Sequence, residues 1–445
     1  MSGKPCTGIV KHAMITQPPA HTSPPQLLIE VNDDRLGRLG YLAIDRAVQS
    51  RASGGVRFSA DVSPAEVTSL ARAMTYKWAL LNVPMGGAKA GIVVTPERLN
   101  CDRNALMEAF GRAIAPLVRQ QVYYPGIDLG TTLDDLRAIM RGAGRPLPEQ
   151  QIDGSRCTGL TVFEAIRQVN RFNGLSLTGL RVGMEGFGKV ASVVAELLAG
   201  AGAKLVAVST IAGAIVSEEG LDVSRLSSLK SEHGDRLVMH YPGARVMAPE
   251  ALFGQSVDVL VPGARPWAIR ADNVDEVQTR FVVPISNVPI TPDAEQTLIA
   301  RGIMVVPDFL ANCGGILASA MLSDGFDLDD ARRVVEGPYA AMVMGILRSA
   351  CQRGQTVGNT ARAVAWQRHL ELNGLATVRA GRFEQFQRAW REAGVGGIQR
   401  RLAWRIYHHW PGLHQTIRRS ATDRFAELTF GVTLSQLSRP MASAG

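Results

Sequence analysis

A chain of 445 residues exceeds the size of one ordinary hydrophobic core, so we expect two domains with a cleft between them. Hydrophobic residues make up 46% and charged residues 20%, which indicates a well-packed soluble protein. The formal charge of +8 would suit nucleic acid, but the arginines are spread along the chain without zinc-finger spacing. A solvated basic surface is therefore favoured, and no nucleic-acid partner is expected.

The five cysteines, an odd number without a CxxC pair, indicate a reducing compartment. The first residues lack the continuous apolar core of a secretory signal, and no apolar run reaches membrane-spanning length. We therefore expect a cytoplasmic protein with no membrane partner and no metal site.

The N-terminal part predicts a leader followed by a mixed α/β domain. Residues 1–26 carry histidines and paired prolines, and they predict a mobile leader. Segments 26–31 and 40–45 have the composition of strands. The domain that they begin is expected to span residues 27–150.

One helix of this domain has a clear N-terminal signal. It is predicted over residues 64–81, with Ser63 as its cap and Glu66 three residues later. This prediction places Lys77 late on the helix and Lys89 in a glycine-bounded loop after it.

The two lysines stand out because the chain meets almost every need for positive charge with Arg. Only seven of its 48 basic residues are Lys. Guanidinium stays charged, whereas a buried ammonium is compact and its pKa can be lowered. Lys77 and Lys89, close together and beside a glycine pair, predict a site that needs tunable amines.

From about residue 153 the chain alternates strands and helices. Short apolar runs bounded by Pro or Gly and separated by helices predict a parallel, doubly wound sheet. A Rossmann-type dinucleotide-binding domain is therefore expected over residues 151–320. Its predicted strands are 181–185, 204–209, 257–262, 281–284 and 304–307, and its predicted helices include 158–172 and 189–199.

The C-terminal part is predicted to be helical. Residues 321–375 are expected to form helices that pack back on the first domain. Residues 376–445 interleave Arg with aromatic residues and predict a helical extension, in which Phe383, Phe386 and Trp390 share a face. Arg beside aromatic residues can bind RNA, but packing on the protein or on a neighbouring subunit is favoured.

A dinucleotide fingerprint follows the first strand of the second domain and opens a helix. Its glycines let the turn tighten and let a pyrophosphate approach the free N–H groups of the helix N-terminus. The residues assigned to this contact are Gly186, Phe187, Gly188, Lys189 and Val190.

The choice between NAD and NADP depends on the end of the second strand, at Ser209 and Thr210. An acidic residue there would hold the ribose hydroxyls and repel a 2′-phosphate, and neither residue is acidic. Both cofactors stay open, with Thr210 as a candidate contact. Lys189 offers a countercharge, or it is simply an exposed helix lysine.

Asp128 is the candidate acid–base residue. It lies among apolar and glycine neighbours in segment 124–132. A desolvated carboxylate beside ammonium groups can be poised for proton transfer, although a turn or cap role is the plainer alternative. Two lysines, an Asp and a nicotinamide together form a coherent set for oxidising an amine to an imine and hydrolysing it.

These motifs, in this order, resemble the glutamate/leucine/phenylalanine/valine dehydrogenase family. The resemblance extends from about residue 27 to residue 319, and its matching segments are 54–57, 83–96, the Asp128 loop, 158–159, 186–188 and 306–315. It implies an NAD(P)-dependent oxidoreductase that deaminates an L-amino acid reversibly to a 2-oxo acid and ammonia. It also implies a homo-oligomer.

The same resemblance implies roles for individual residues. Lys77 would hold the substrate α-carboxylate, Lys89 would polarise the carbonyl and activate water, and Asp128 would carry the proton to and from the amino nitrogen. Thr158 and Asn312 would orient the nicotinamide.

At the substrate side chain, one position departs from the pattern of glutamate-specific members. The positions implied to surround the substrate are Ser53, Gly54, Gly55, Met85, Gly126, Ile316 and Ser319. Glutamate-specific members have Lys where Ser53 stands, whereas Ser319 aligns with a serine that they use. Because an unpaired buried carboxylate is costly, the loss of this Lys favours a neutral aliphatic or small polar amino acid.

Alternative functions stay open. The family commonly has Asn where Lys189 stands, and Asn or Asp where Trp78 stands, so both residues could impair catalysis. Glutamate dehydrogenase proper is supported by Ser319. A catalytically weak paralogue that regulates a partner through the tail is disfavoured because Lys77, Lys89 and Asp128 are all present.

Overall fold

The computed structural model describes residues 18, 23–95, 98, 102–145, 147, 154–323 and 327–392. Within these ranges it describes side chains except for residues 320–323 and 375–392. The prediction of a shared aromatic face at Phe383, Phe386 and Trp390 therefore lies outside the described residues, as do most of the leader and the tail beyond Glu392.

The first domain is built on a five-stranded mixed sheet with the order β1-β2-β4-β3-β5. Its strands are β1 (Leu27–Asp33), β2 (Gly37–Arg46), β3 (Ala52–Ser59), β4 (Gly86–Val93) and β5 (Tyr123–Ile127). The outer pairs β1·β2 and β2·β4 are antiparallel, whereas β3 runs parallel to both β4 and β5. The carboxyl ends of β3 and β5 therefore meet at one edge of the sheet.

Helices cover this sheet. They are α1 (Pro64–Leu80), α2 (Arg103–Ala113), α3 (Ala115–Arg119) and α4 (Leu133–Gly142). The predicted start of α1 is confirmed, since Ser63 Oγ accepts the N–H of Glu66 at 3.2 Å. The Glu66 carboxylate does not return to the cap. It binds Arg57 instead, which the sequence did not predict.

The predicted loop around Lys89 is wrong, because Lys89 lies inside strand β4. The glycines before it allow α1 to pack directly on this strand: a Cβ at Gly87 would lie 2.1 Å from the amide nitrogen of Thr75. Glycine here serves close helix–strand packing and not a turn. The consequence is that Lys89 projects from a rigid, almost wholly buried strand.

The predicted mobile leader is wrong at its C-terminal end. Arg72 donates to the carbonyl of Ser23, and Gln26 accepts the N–H of Ala47 at 2.7 Å. Residues 23–26 are therefore fixed to the first domain.

The second domain contains a six-stranded sheet with the order β11-β10-β9-β6-β7-β8. Its strands are β6 (Arg181–Glu185), β7 (Lys204–Thr210), β8 (Gly213–Val216), β9 (Val259–Pro262), β10 (Phe281–Val282) and β11 (Met304–Val305). Five strands are parallel, which confirms the predicted doubly wound arrangement. The antiparallel edge strand β8, absent from the prediction, pairs with β7 through a tight turn.

The helices of this domain are α5 (Ser155–Phe172), α6 (Lys189–Gly200), α7 (Val223–His233), α8 (Pro292–Ala300) and α9 (Asp308–Ala311). Three short 3-10 segments add to them: Gly234–Met239, Pro249–Leu252 and Val274–Glu276. Helix α6 begins directly after β6 and the turn at Gly186, as the dinucleotide fingerprint predicts.

Between Gly314 and Leu372 the described residues are mostly helical, as predicted. Its helices are α10 (Gly314–Ser323), α11 (Leu328–Val334), a π-helical turn (Val335–Tyr339), α12 (Ala340–Arg353) and α13 (Val357–Glu392). Helix α13 returns to the first domain, where Arg368 donates to the carbonyl of Leu80 at the end of α1. Among the helices of the described ranges, none is long and apolar enough to cross a membrane.

Candidate active site

Lys89 and Asp128 form a buried ion pair at the edge where β4, β3 and β5 meet. Lys89 Nζ lies 2.8 Å from Asp128 Oδ2, and the Lys89 side chain is 2% exposed. Asp128 directly follows β5, and Gly55 opposite it has no side chain: a Cβ there would lie 2.7 Å from Asp128 Cβ. The glycine thus makes the room that the carboxylate occupies.

The electrostatics of this pair lower the pKa of the amine and keep the carboxylate ionised. Burial lowers the pKa of Lys89, and the positive charge of Arg57 lowers it further, against the opposing effect of Asp128. Burial alone would raise the pKa of Asp128, but Lys89 and Arg57 outweigh it and hold that pKa at about 2. Asp128 is ionised at every physiological pH, while Lys89 can lose its proton more readily than an exposed lysine.

Lys77 lies in the same cleft and joins the two domains. Its Nζ donates to Asn287 Oδ1 at 2.5 Å, and Asn287 belongs to the loop after β10. Burial lowers the pKa of Lys77 to about 8, and the charge of Lys89 contributes to this shift. Its hydrogen-bond partner is thus a neutral amide, so its positive charge suits an anionic ligand.

Asn312 extends this link into the second domain. Its Nδ2 donates to Asn287 Oδ1 at 3.1 Å and to the carbonyl of Ile285 at 2.7 Å. Its Oδ1 is buried and has no hydrogen-bond partner among the residues that the structure describes. A buried amide oxygen without a partner is costly, so it marks a point where a ligand donor fits.

Thr158 lies close to the turn that follows Asn312. Its hydroxyl donates to the carbonyl of Gly154 at 2.9 Å, and a Cβ at Gly315 would lie 3.1 Å from Thr158 Oγ1. Helices α5 and α10 therefore approach closely here. The two residues assigned to the nicotinamide lie on adjoining segments.

The turn between β6 and α6 fits a dinucleotide. Gly186 has φ +85°, which bulkier residues rarely adopt, and it lets the strand turn sharply into the helix. A Cβ on Gly188 would meet nothing within 4 Å, so the space before the first turn of α6 is open. Phe187 between them is buried and fixes the turn. NAD or NADP can be held here by the free N–H groups of the helix.

The other residues assigned to the cofactor differ in accessibility. Lys189 is exposed and Val190 is partly buried at the start of α6. The hydroxyl of Thr210 donates to the carbonyl of Asp235 at 2.6 Å and accepts the N–H of Ala212 at 3.2 Å. Thr210 therefore shapes the loop after β7, with its hydroxyl already engaged.

Two departures from the family pattern contact each other. The indole of Trp78 donates to the carbonyl of Ser53 at 3.3 Å, and the Ser53 hydroxyl donates to the carbonyl of Tyr124 at 3.0 Å. Trp78 is 8% exposed and packs in the core. Trp78 therefore holds the start of β3 in place and does not take part in the ion pair of Lys89.

The remaining residues that the resemblance assigns to the substrate lie on different elements. Met85 is partly buried before β4 and Ile316 is buried on α10, whereas Ser319 is exposed on α10. Gly54 is a packing residue, since a Cβ there would lie 1.6 Å from the carbonyl oxygen of Ala88. At Gly126 a Cβ would first meet Gly55 Cα at 3.9 Å, which leaves room.

Several site residues escaped the sequence reasoning. Asn287, which contacts both Lys77 and Asn312, stands in a loop with no recognisable motif. Glu185, the residue before the dinucleotide turn, accepts the N–H groups of Gly263 and Ala264 at 3.0 Å each. Its position at the end of a strand that opens a fingerprint was the only signal available.

The fold and this cleft define a class of protein. A mixed α/β domain contributes buried lysines and a carboxylate, and a Rossmann-type domain presents an open dinucleotide turn and the amide of Asn287 that Lys77 contacts. This is the arrangement of a two-domain dehydrogenase that acts on a small polar substrate.

Comparison with known proteins identifies the family. Residues 153–325 match the family model of glutamate/leucine/phenylalanine/valine dehydrogenase, and residues 29–144 match that of the Glu/Leu/Phe/Val dehydrogenase dimerisation domain. The chain is 35% identical over 282 residues to the NADP-specific glutamate dehydrogenase A1 of Halobacterium salinarum, covering 60% of this chain and 67% of that protein. It is 34% identical over 322 residues to the glutamate dehydrogenase of Thermotoga maritima, covering 67% and 76%.

Comparison with solved structures shows the same two-domain fold. A hetero-hexameric glutamate dehydrogenase of Thermus thermophilus, in a leucine-bound form, superposes with a TM-score of 0.65 at 29% identity, over 79% of this chain and 90% of that one. The L-tryptophan dehydrogenase of Nostoc punctiforme shares the fold, with a TM-score of 0.56 at 23% identity over 78% and 96%. The chain belongs to the glutamate/leucine/phenylalanine/valine dehydrogenase family. It is an oxidoreductase of the class that acts on the CH–NH2 group of amino acids, with NAD or NADP as its cofactor.

Proposed function

We propose that the protein catalyses the reversible oxidative deamination of a neutral aliphatic or small polar L-amino acid. The amino acid, water and the oxidised form of NAD or NADP would give a 2-oxo acid, ammonia, the reduced cofactor and a proton. The observation that carries this proposal is the buried contact of 2.8 Å between Lys89 and Asp128, in a cleft that also holds Lys77.

Each residue has a role that follows from its surroundings. Lys77, whose hydrogen-bond partner is a neutral amide, binds the α-carboxylate of the substrate. Lys89, with its lowered pKa, accepts a proton from the attacking water and polarises the carbonyl in the reverse direction. Asp128 accepts and returns the proton of the amino nitrogen. Thr158 and Asn312 orient the nicotinamide, which serves as the electron acceptor.

The substrate preference rests on Ser53 and its neighbours. The Ser53 hydroxyl is uncharged and donates its hydrogen to the backbone carbonyl of Tyr124. It therefore provides neither a cation nor a free donor for a side-chain carboxylate. Met85 and Ile316 add apolar surface. A neutral side chain loses less hydration on entering such surroundings than glutamate does.

Glutamate is the second candidate substrate. The relatives named above from Halobacterium and Thermotoga are glutamate dehydrogenases. Ser319, at the position that the resemblance assigns to glutamate binding, lies on α10. A regulatory paralogue, in contrast, depends on the tail beyond Glu392, outside the described residues.

We further propose that the catalytic domain spans residues 27–150 and the dinucleotide domain residues 151–320, with residues 321–375 packing back on the former. Closure of the two domains would expel water and strengthen the electrostatic contacts in the cleft. The Thermus relative is a hetero-hexamer. For this chain we propose a homo-oligomer in the cytoplasm.

A substrate panel tests the function. Purified protein is assayed at the nicotinamide absorbance with ammonia, a series of 2-oxo acids, and either NADH or NADPH. We expect turnover with neutral 2-oxo acids and a lower kcat/KM with 2-oxoglutarate. No turnover with any pair would overturn the enzymatic proposal, and a preference for 2-oxoglutarate would overturn the substrate assignment.

Ser53→Lys sharpens the test of specificity. Restoring an ammonium at this position should raise kcat/KM for 2-oxoglutarate relative to the best neutral 2-oxo acid. Ser224→Lys is the matched control, because Ser224 is an exposed residue of α7 in the other domain. It adds the same charge and should leave the substrate ratio unchanged.

A further inference from the structure

The ion pair of Lys89 is one end of a longer row of charges. Arg57 Nε lies 3.1 Å from Asp128 Oδ2, the same oxygen that Lys89 contacts. The other side of the guanidinium binds Glu66 Oε1. The side chains of Arg57 and Glu66 are only 5% and 2% exposed. Two cations and two anions thus alternate through the interior of the first domain.

Stability alone does not account for the inner pair. Burying an ion pair costs about as much hydration free energy as the pair regains, and apolar residues of similar size are often equally stable. Glu66 Oε2 is buried and has no hydrogen-bond partner in the described part of the chain, so only one oxygen of this carboxylate is paired there. The Glu66 side chain also binds Arg57 and not the backbone of the cap residue Ser63. Its placement favours a role exerted through Arg57.

We propose that Arg57 and Glu66 are positioning residues for the catalytic pair, in which Arg57 fixes the Asp128 carboxylate and Glu66 neutralises the guanidinium. This inference rests on the proposed dehydrogenase function. Arg57 holds Asp128 from β3 while Lys89 holds it from β4, so the carboxylate is gripped from two strands of one sheet. Glu66, in the first turn of α1, fixes the guanidinium in turn.

The row of charges also sets how readily Lys89 loses its proton. The positive charge of Arg57 lowers the pKa of Lys89, whereas the negative charge of Glu66 raises it. The other charged groups that act on members of this row are Lys77 of α1 and Asp61 of the loop after β3. Neither bonds to the guanidinium. Removal of Arg57 and removal of Glu66 should therefore shift the pKa of Lys89 in opposite directions.

The experiment compares Arg57→Gln, Glu66→Gln and the double variant. In each, kcat/KM is measured against pH with the best substrate. Independently, the pKa of Lys89 is measured without turnover from the pH titration of its side-chain NMR signal in protein that carries 13C-labelled lysine, with the signal assigned by comparison with Lys89→Arg. We expect the pKa of Lys89 to rise by about half a unit or more in Arg57→Gln and to fall by a similar amount in Glu66→Gln. The double variant should lie between the single variants.

A fixed carboxylate also predicts a kinetic signature. Both single variants should lower kcat more than they raise KM, since neither residue touches the substrate. Arg57→Lys retains the cation but cannot bond both carboxylates. It should keep the Lys89 pKa near its original value while kcat falls, and it replaces Arg57→Gln if that variant does not fold.

Glu164→Gln is the matched control. Glu164 is another buried carboxylate, on α5, bonded to Arg167 and Gln168. Its neutralisation should affect the midpoint of thermal unfolding and leave the Lys89 pKa unchanged. Shifts of the same sign in Arg57→Gln and Glu66→Gln, or none in either, would show that the inner pair is only structural. If no amino acid is turned over, the measured pKa of Lys89 in each variant still tests this inference separately from the proposed function.

Discussion

Lys77 and Lys89 are almost equally buried, yet their partners give them different chemistry. Lys89 faces the carboxylate of Asp128 at 2.8 Å, so its charge is balanced within the protein. Lys77 donates to an amide oxygen of Asn287 and forms no ion pair with any residue that the structure describes. A buried cation that lacks a bonded anion is the natural acceptor of an anionic substrate group. The two lysines are therefore not interchangeable.

The pKa of Lys77 predicts how anion binding depends on pH. Burial lowers this pKa from 10.5 to about 8, so the ammonium is intact below pH 8 and is lost as the pH rises above it. The inhibition constant of an unreactive carboxylic acid that competes with substrate should therefore rise about tenfold per pH unit above pH 8. The inhibition constant is obtained between pH 7 and pH 9.5 as the dissociation constant of the inhibitor, measured by calorimetry without substrate, because ammonia and the amines of substrates ionise in this range.

Lys77→Arg provides the control, because guanidinium stays charged throughout this range. Its inhibition constant should be larger at pH 7 than that of the unmodified protein, but it should not change with pH. A pH dependence that persists unchanged in Lys77→Arg would assign the ionisation to another group.

Among single residues, those of a rare type could be predicted from the sequence. Residues whose role depends on a tertiary contact could not. Lys77 and Lys89 were recognisable because lysine is scarce in this chain. Arg57 and Glu66 are common residue types, and their pairing depends on how α1 crosses β3. That geometry arises from tertiary packing, which no local pattern encodes.

Among the elements, glycines of similar sequence context have different physical roles. Gly54 on β3 is required by packing, because a Cβ would lie 1.6 Å from a carbonyl oxygen of the next strand. Gly188, which precedes α6, has open space in front of it and φ −94°, a value that any residue adopts. The former glycine serves the sheet, and the latter leaves room for a ligand.

Gly188→Ala should therefore separate stability from cofactor binding. The free energy of unfolding should change by less than about 1 kcal/mol, since the new methyl group meets no protein atom and alanine is only a slightly poorer cap. The dissociation constant of NADH or NADPH should increase at least about tenfold, because the methyl group occupies the approach of the pyrophosphate. Fluorescence titration and chemical denaturation measure the two quantities.

Gly200→Ala is the control at the other end of α6. A Cβ there also meets nothing within 4 Å, so it makes the same chemical change away from the turn. Unchanged cofactor affinity in both variants would remove the turn from the cofactor site.

Elements with strong periodicity were predictable, and those defined by close packing were not. The parallel strands and α6 follow from apolar runs and a fingerprint that each lie within a few residues. Strand β4 contains Gly86 and Gly87 and therefore resembled a loop, although α1 packs on it closely. Strand β8 is four residues long and depends on pairing with β7. Such elements are stabilised by neighbours that are distant in sequence.

In the whole molecule, α1 connects the cores of the two domains. Val67 and Ala71, in its N-terminal half, pack in a cluster with the first sheet. Tyr76 and Leu80, in its C-terminal half, belong to the core cluster of the second domain. The ring of Tyr76 lies 5.0 Å from that of Phe309 between centroids. One rigid helix therefore transmits the state of each core to the other.

This shared helix predicts that the two domains unfold together. Unfolding of either domain exposes apolar residues of α1 that the other domain needs, and burial of each large side chain is worth about 2 kcal/mol. Urea denaturation followed by far-UV circular dichroism and by tryptophan fluorescence should give one transition with a common midpoint.

Tyr76→Ala should separate the two curves because it removes the contact with Phe309. Leu39→Ala, in the core of the first domain alone, should destabilise by about 2 to 5 kcal/mol while the curves stay coincident. Two resolved transitions in the unmodified protein would mean that α1 does not couple the cores, and that the cleft between Lys77 and Asn287 can open without loss of either fold.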